Sequence, residues 1–161
     1  MGFTDTTDKE ENQHTILVVD DDTLLLQMTR MILEALGYNV EIAATGAEAL
    51  ACFDRHAGGY SLVVLDQRLT DCNGIDVIRA ARGRYPSLPF LMVTGLCTEE
   101  VIRTCLAAGA VGVVAKPYQL DEFEVAVKTA IGSSLGSAEC GSDPSSYAVS
   151  DRAGSGAPTV S

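Results

Sequence analysis

Five short apolar runs recur along this chain: Ile16 to Val19, Asn39 to Ala43, Ser61 to Leu65, Phe90 to Val93 and Val111 to Ala115. Most are rich in Val, Ile and Leu and lack clean apolar–polar alternation. They therefore read as strands buried on both faces. The segments between them carry helical signals. Asp22 or Thr23 can cap a first helix through about Leu36, ended by Gly37, with Leu24, Met28, Met31, Ile32 and Ala35 as its predicted apolar face. A second opens at Thr45, where "TGAE" reads as a capping box with Glu48, and stops near Ala57 to Gly59. A third runs from about Ile75 to Ala81, and a fourth from Thr98 or Glu99 to Ala108. The last runs from about Leu120 to Ile131, with acids in its first turn and Lys128 in its last, as the helix dipole prefers.

Strands alternating with helices roughly every 25 residues predict a parallel sheet covered by helices on both faces. The expected fold class is α/β, a (βα)5 doubly wound domain over residues 14–131. Residues 1–13 are polar and acidic. From Gly132 the chain turns to Ser, Gly and Ala, a composition that buries too little surface to offset its ordering entropy, so both ends are expected to be disordered.

Composition narrows the function classes. A chain of 161 residues with 47% hydrophobic content supports one domain of ordinary size. A formal charge of −11 argues against nucleic acid as a direct ligand, because neutralising phosphates takes clustered Lys and Arg. The five cysteines are odd in number and show no CxxC spacing, which suits reduced thiols in a cytoplasmic protein. The N-terminus has no apolar region of the kind a signal peptide needs, and no apolar run approaches the ~18 residues of a membrane helix. His14 and His56 fall at element ends and read as surface or cap residues.

The chemistry lies at the ends of the strands. "ILVVDDDT" sets three consecutive carboxylates directly after an apolar run. In an open parallel sheet, ligands bind beyond the carboxyl ends of the strands, where the strand order reverses. To that edge the first strand delivers Asp20 and Asp21, the third Asp66, the fourth Thr94 and the fifth Lys116 followed by Pro117. Neighbouring carboxylates repel, and a hard divalent cation such as Mg²⁺, which takes oxygen ligands, relieves that repulsion. A Lys and a Thr hydroxyl opposite the cation would hold the remaining oxygens of a phosphoryl group, and one carboxylate could attack its phosphorus in line. The set points to phosphoryl transfer onto an Asp. Asp22, just before a helix, reads as its N-cap.

From "ILVVDDD" through "LVVLDQRLTDCNGIDVI", "PFLMVTG" and "AAGAVGVVAKPY", the chain resembles the receiver domain of bacterial two-component response regulators. The resemblance implies a flavodoxin-like strand order 2-1-3-4-5, with Asp66 as phosphoacceptor. It also implies Mg²⁺ held by Asp20, Asp21, Asp66 and the backbone carbonyl of Arg68, Thr94 as the hydroxyl that senses the phosphate, and Lys116 as its counter-charge, followed by a cis peptide to Pro117. The implied protein is a phospho-accepting switch rather than an enzyme, working in a phosphorelay. Its expected partners are a histidine kinase or phosphotransfer protein upstream and an unidentified protein downstream, met by the fourth helix, fifth strand and fifth helix. The Ser/Gly tail suits a single-domain regulator.

Three positions depart from the family's usual text. Val113 stands where an aromatic switch residue is usual. Thr70 stands where Pro is often found, which predicts a shifted loop and an intact site. Arg68 carries a side chain expected near the cleft mouth. Two rival readings follow. A pseudo-receiver would keep the fold without phosphorylation, and Val113 is its one hint. A phosphatase resembling the haloacid dehalogenase group needs Asp-x-Asp-x-Thr, but Leu24 occupies the place of the Thr.

Overall fold

The apolar runs form a single sheet. The computed structural model describes residues 14–135, in which β1 (Thr15–Val19), β2 (Asn39–Ala43), β3 (Leu62–Asp66), β4 (Phe90–Thr94) and β5 (Gly112–Ala115) pair in parallel in the order β2-β1-β3-β4-β5. The crossovers are α1 (Thr23–Ala35), α2 (Gly46–Arg55), α3 (Gly74–Arg82), α4 (Glu99–Ala108) and α5 (Leu120–Leu135). This is the flavodoxin-like doubly wound arrangement expected from the sequence. The expected disorder of residues 1–13 and of the tail from Gly136 onward lies outside the described residues.

The missing alternation in the strands has a direct cause: successive side chains enter two different cores. Ile16, Val18, Leu62, Val64, Leu91, Val93 and Val114 point to one side and pack with Leu26 and Leu33 of α1 and Phe123 and Val127 of α5. Leu17, Val19, Val63, Leu65, Phe90, Met92 and Val113 point to the other and pack with residues of α2, α3 and α4 such as Phe53, Ile78 and Cys105. Only β2, at the sheet edge, is largely half-exposed, which is why it tolerates Asn39 and Glu41. Asp22, Thr45, Asn73 and Thr98 cap α1 to α4, each side chain accepting from backbone N–H groups of the first turn. Glu48 reaches back to the N–H of Ala44, one residue before the cap, so the expected box at α2 closes one residue early. The four cysteines among the described residues form no disulfide.

Two sequence expectations are corrected. The predicted apolar face of α1 is not the buried one: Leu24, Met28 and Met31 are 70%, 48% and 66% exposed, while Leu26, Thr29 and Leu33 are buried. Apart from one polar stripe of Thr23, Gln27, Arg30 and Glu34, most of this helix's circumference is apolar, so more than one apolar stripe fits helical spacing. The true inner stripe was hidden by Thr29, whose hydroxyl pairs with the Tyr118 hydroxyl and so enters the core satisfied. Second, α5 continues past Ile131 to Leu135. Its inner face of Phe123, Ala126, Val127, Ala130 and Ile131 is fully packed, and that anchorage carries the helix through Gly132 despite a propensity cost of about 1 kcal/mol.

Candidate functional site

Each polar strand end is held by the sheet's own hydrogen bonds, which run on into the edge. The N–H of Asp20, just past β1, donates to Ala43 O of β2 at 3.2 Å; that of Gln67, just past β3, donates to Val93 O of β4 at 2.9 Å; and that of Lys116, just past β5, donates to Thr94 O at 2.8 Å. Asp66 is the last residue of β3, Thr94 the last of β4, and the Lys116–Pro117 peptide is cis. The order reverses at β1, so the crevice opens between the ends of β1 and β3.

Asp20, Asp21 and Asp66 each place a carboxylate oxygen within 4.8 Å of the others. Asp20 and Asp66 are buried and Asp21 is exposed. The Lys116 ammonium lies between the two buried acids, 3.3 Å from Asp20 Oδ2 and 3.2 Å from Asp66 Oδ1. One cation does not balance this cluster. Burial, reinforced by the Asp20 charge, raises the Asp66 carboxyl to about 6 despite the opposing pull of Lys116. Burial alone would lower the Lys116 ammonium, but Asp66 and Asp20 together outweigh it and hold it above its ordinary value. The second Asp20 oxygen accepts from the Asp22 N–H at 2.9 Å, and Asp22 in turn caps α1. Of the three consecutive acids, the third is thus tied up in structure.

The loop after β3 is braced on three sides, by contacts that no periodic pattern could reveal. The Thr70 hydroxyl donates to Asp21 Oδ2 at 2.8 Å. The Asp71 carboxylate accepts from the N–H groups of Gly46 and Ala47, at 2.9 and 3.1 Å, and these bonds hold its carboxyl below the usual range. Gly74 starts α3 against the acceptor's own backbone: a Cβ there would lie 2.5 Å from Asp66 O and 2.9 Å from Met92 Cε. Thr94 is buried, and its hydroxyl donates to Gln67 Oε1 at 2.6 Å while accepting from the Leu96 N–H at 3.0 Å.

Asp20, Asp21, Asp66 and Lys116 are therefore gathered in one pocket. Thr94 stands one strand over, joined to the acceptor's neighbour Gln67. Arg68 is exposed, its backbone bridged to Asn73 across the loop. Val113 does not reach the cleft; it is fully buried in the core on the α2–α4 side. The pocket fits a hard divalent cation: its donors are all oxygens, its acids outnumber its one ammonium, and Asp21 is open to solvent.

An open parallel sheet with an acidic pocket at its switch point defines a doubly wound ligand-binding domain, and comparison with known proteins narrows that class. The response regulator receiver domain family matches residues 16–128. Among curated relatives, the probable transcriptional regulatory protein TcrX of Mycobacterium tuberculosis is 37% identical over 108 residues, 67% of this chain and 45% of that protein. The transcriptional regulatory protein KdpE of the same species is 34% identical over 124 residues, 77% of this chain and 54% of that protein. The chain thus spans about half the length of these two relatives. A CheY-like receiver domain protein from Methanospirillum hungatei superposes with a TM-score of 0.72 at 33% identity, covering 78% of this chain and 99% of that one. The chemotaxis response regulator CheY4 of Vibrio cholerae gives 0.67 at 28% identity, covering 74% and 99%. The chain belongs to the response regulator receiver domain family. No helix among the described residues is long and apolar enough to cross a membrane.

Proposed function

We propose that this receiver domain accepts a phosphoryl group onto Asp66 from a phosphohistidine of a histidine kinase or phosphotransfer protein, in a Mg²⁺-dependent reaction in the cytoplasm, and signals by protein contact or onward relay. The observation that carries this reading is the pocket itself, two buried carboxylates sharing one ammonium beside a third, solvent-facing carboxylate.

Asp20 and Asp21, with Asp66 and the backbone carbonyl of Arg68, would hold the cation. Bound there, it would neutralise the acids and offset charge on the phosphoryl oxygens. An Asp66 carboxylate oxygen attacks phosphorus, the P–N bond to the imidazole breaks, and the imidazole leaves with the bonding pair. Lys116, already in contact with Asp66, supplies positive charge to the transferred group, and the Thr94 hydroxyl supplies a hydrogen bond to it. The exposed Leu24, Met28 and Met31 on α1 begin two residues after Asp22 and offer the donor protein an apolar footing beside the pocket.

Intact-mass measurement with Mg²⁺ and acetyl phosphate tests the reading. One added phosphate is expected, absent in Asp66→Asn and absent in EDTA. Unchanged mass at short reaction times, together with no binding of beryllofluoride, would instead identify a pseudo-receiver.

A further inference from the structure

The Thr94 hydroxyl owns one proton, and that proton is already committed. It goes to Gln67 Oε1 at 2.6 Å, with a weaker share to Leu96 O at 3.3 Å, while the Leu96 N–H donates to the same hydroxyl oxygen at 3.0 Å. To bond a phosphoryl oxygen on Asp66, the hydroxyl must withdraw its proton from Gln67 and leave a half-buried amide oxygen without that partner.

The glutamine is well placed to resist. Its backbone is fixed at both ends: its N–H donates to Val93 O of β4 at 2.9 Å, and its carbonyl accepts from the Gly74 N–H at 2.6 Å. The first bond ties it to the strand that carries Thr94, the second to the start of α3. Gln67 also directly follows Asp66, so the acceptor and the competitor for Thr94 ride on adjacent residues of one rigid strand end. Any shift of the loop that accommodates a phosphoryl group is therefore felt at the Gln67 amide.

Building on the receiver reading above, we propose that Gln67 is a positioning residue that acts through Thr94, a latch whose hydrogen bond must open before the hydroxyl can bind the phosphoryl group. The latch sets how strongly the modified state is favoured. It does not touch phosphorus itself.

Beryllofluoride with Mg²⁺ serves as the probe, its affinity read by titration calorimetry for the wild-type chain, Gln67→Leu, Thr94→Val and the double variant. Releasing one hydrogen bond is expected to tighten beryllofluoride binding about fivefold in Gln67→Leu. In the Thr94→Val background, where there is no hydroxyl to release, the same substitution is expected to change affinity less than about twofold. Wild-type affinity or weaker in Gln67→Leu, or an equal gain in both backgrounds, would overturn the latch while leaving the receiver reading intact. Absence of binding by the wild-type chain would overturn the receiver reading and the latch with it. Should Gln67→Leu lose its folded far-UV spectrum, Gln67→Met, with a flexible side chain of similar length, is judged by the same criteria.

Discussion

The two sides of the cleft are finished differently. At the ends of β1 and β3 the fold leaves an account of charge open: two buried acids share one lysine, and Asp66 is pushed up to about 6. Around Thr94 at the end of β4 nothing is left over, since its hydroxyl is bonded on both its donor and acceptor sides and Val113 of the neighbouring β5 is sealed in the core, although Lys116 just past β5 reaches across to the open side. The imbalance marks where an incoming cation and phosphoryl group would be stabilised. The satisfied side gains nothing by itself and can respond only by giving up bonds it already has.

The sharpest way to break this contrast is to unbalance the open side further. Lys116→Met removes its only ammonium and should slow phosphorylation by acetyl phosphate roughly a hundredfold or more. A loss of less than about tenfold in an intact-mass time course would show that the charge set does not drive the chemistry.

The second test concerns stability without divalent cations. Asp66 titrates near 6 in the folded chain against an ordinary value of 3.8. Between those values the folded chain keeps a proton that the unfolded chain has released, so this group costs stability as pH rises through about 6 and costs nothing below about 4. Asp66→Asn should therefore stabilise the metal-free protein at pH 7 by about 2 kcal/mol, with little gain at pH 4. Mg²⁺ should narrow the difference at pH 7. Denaturation curves for both proteins that remain equally spaced from pH 4 to pH 7 would contradict it.

On the satisfied side the pattern should invert. Val113→Ala opens a void in a fully packed core and should cost about 2 kcal/mol in urea denaturation, while phosphoryl uptake stays within about twofold of wild type. A large loss of uptake would mean that this side takes part in the chemistry as well as responding to it. The smallest effect belongs to the outer stripe of α1. Met31→Gln should change stability by less than about 0.5 kcal/mol, whereas Leu33→Ala, two positions on and fully buried, should cost roughly 2–5 kcal/mol. Comparable losses would restore the apolar face first expected from the sequence.

What was legible in the sequence follows the same division. The strands, their parallel arrangement and the polar residues at four of the five strand ends could be read directly, because burial on both faces writes continuous apolar text and a strand end is visible where that text stops; the strand order came from the family resemblance. The face of α1 could not. With leucines and methionines around most of the helix, periodicity has no unique solution, and the one polar residue that turns inward, Thr29, looks like an outer one until Tyr118 is placed opposite it. The end of α5 was misplaced because composition registers the Gly and Ser residues of its last turn, whereas packing upstream decides how far the helix runs. Gln67, Thr70 and Asp71 were legible only as loop text. Their partners, Thr94, Asp21 and the start of α2, lie far away along the chain, and single loop contacts leave no repeating mark in sequence.

Gly74 presses the first residue of α3 against the backbone of Asp66, with no room for even a methyl group. In a saturation screen scored on signalling, that position would rank with the acceptor itself: nearly every substitution would be lost, though the residue has no side chain and meets no ligand. A map of intolerant positions laid over this domain would therefore outline the chemistry together with the clearances that keep its parts in place.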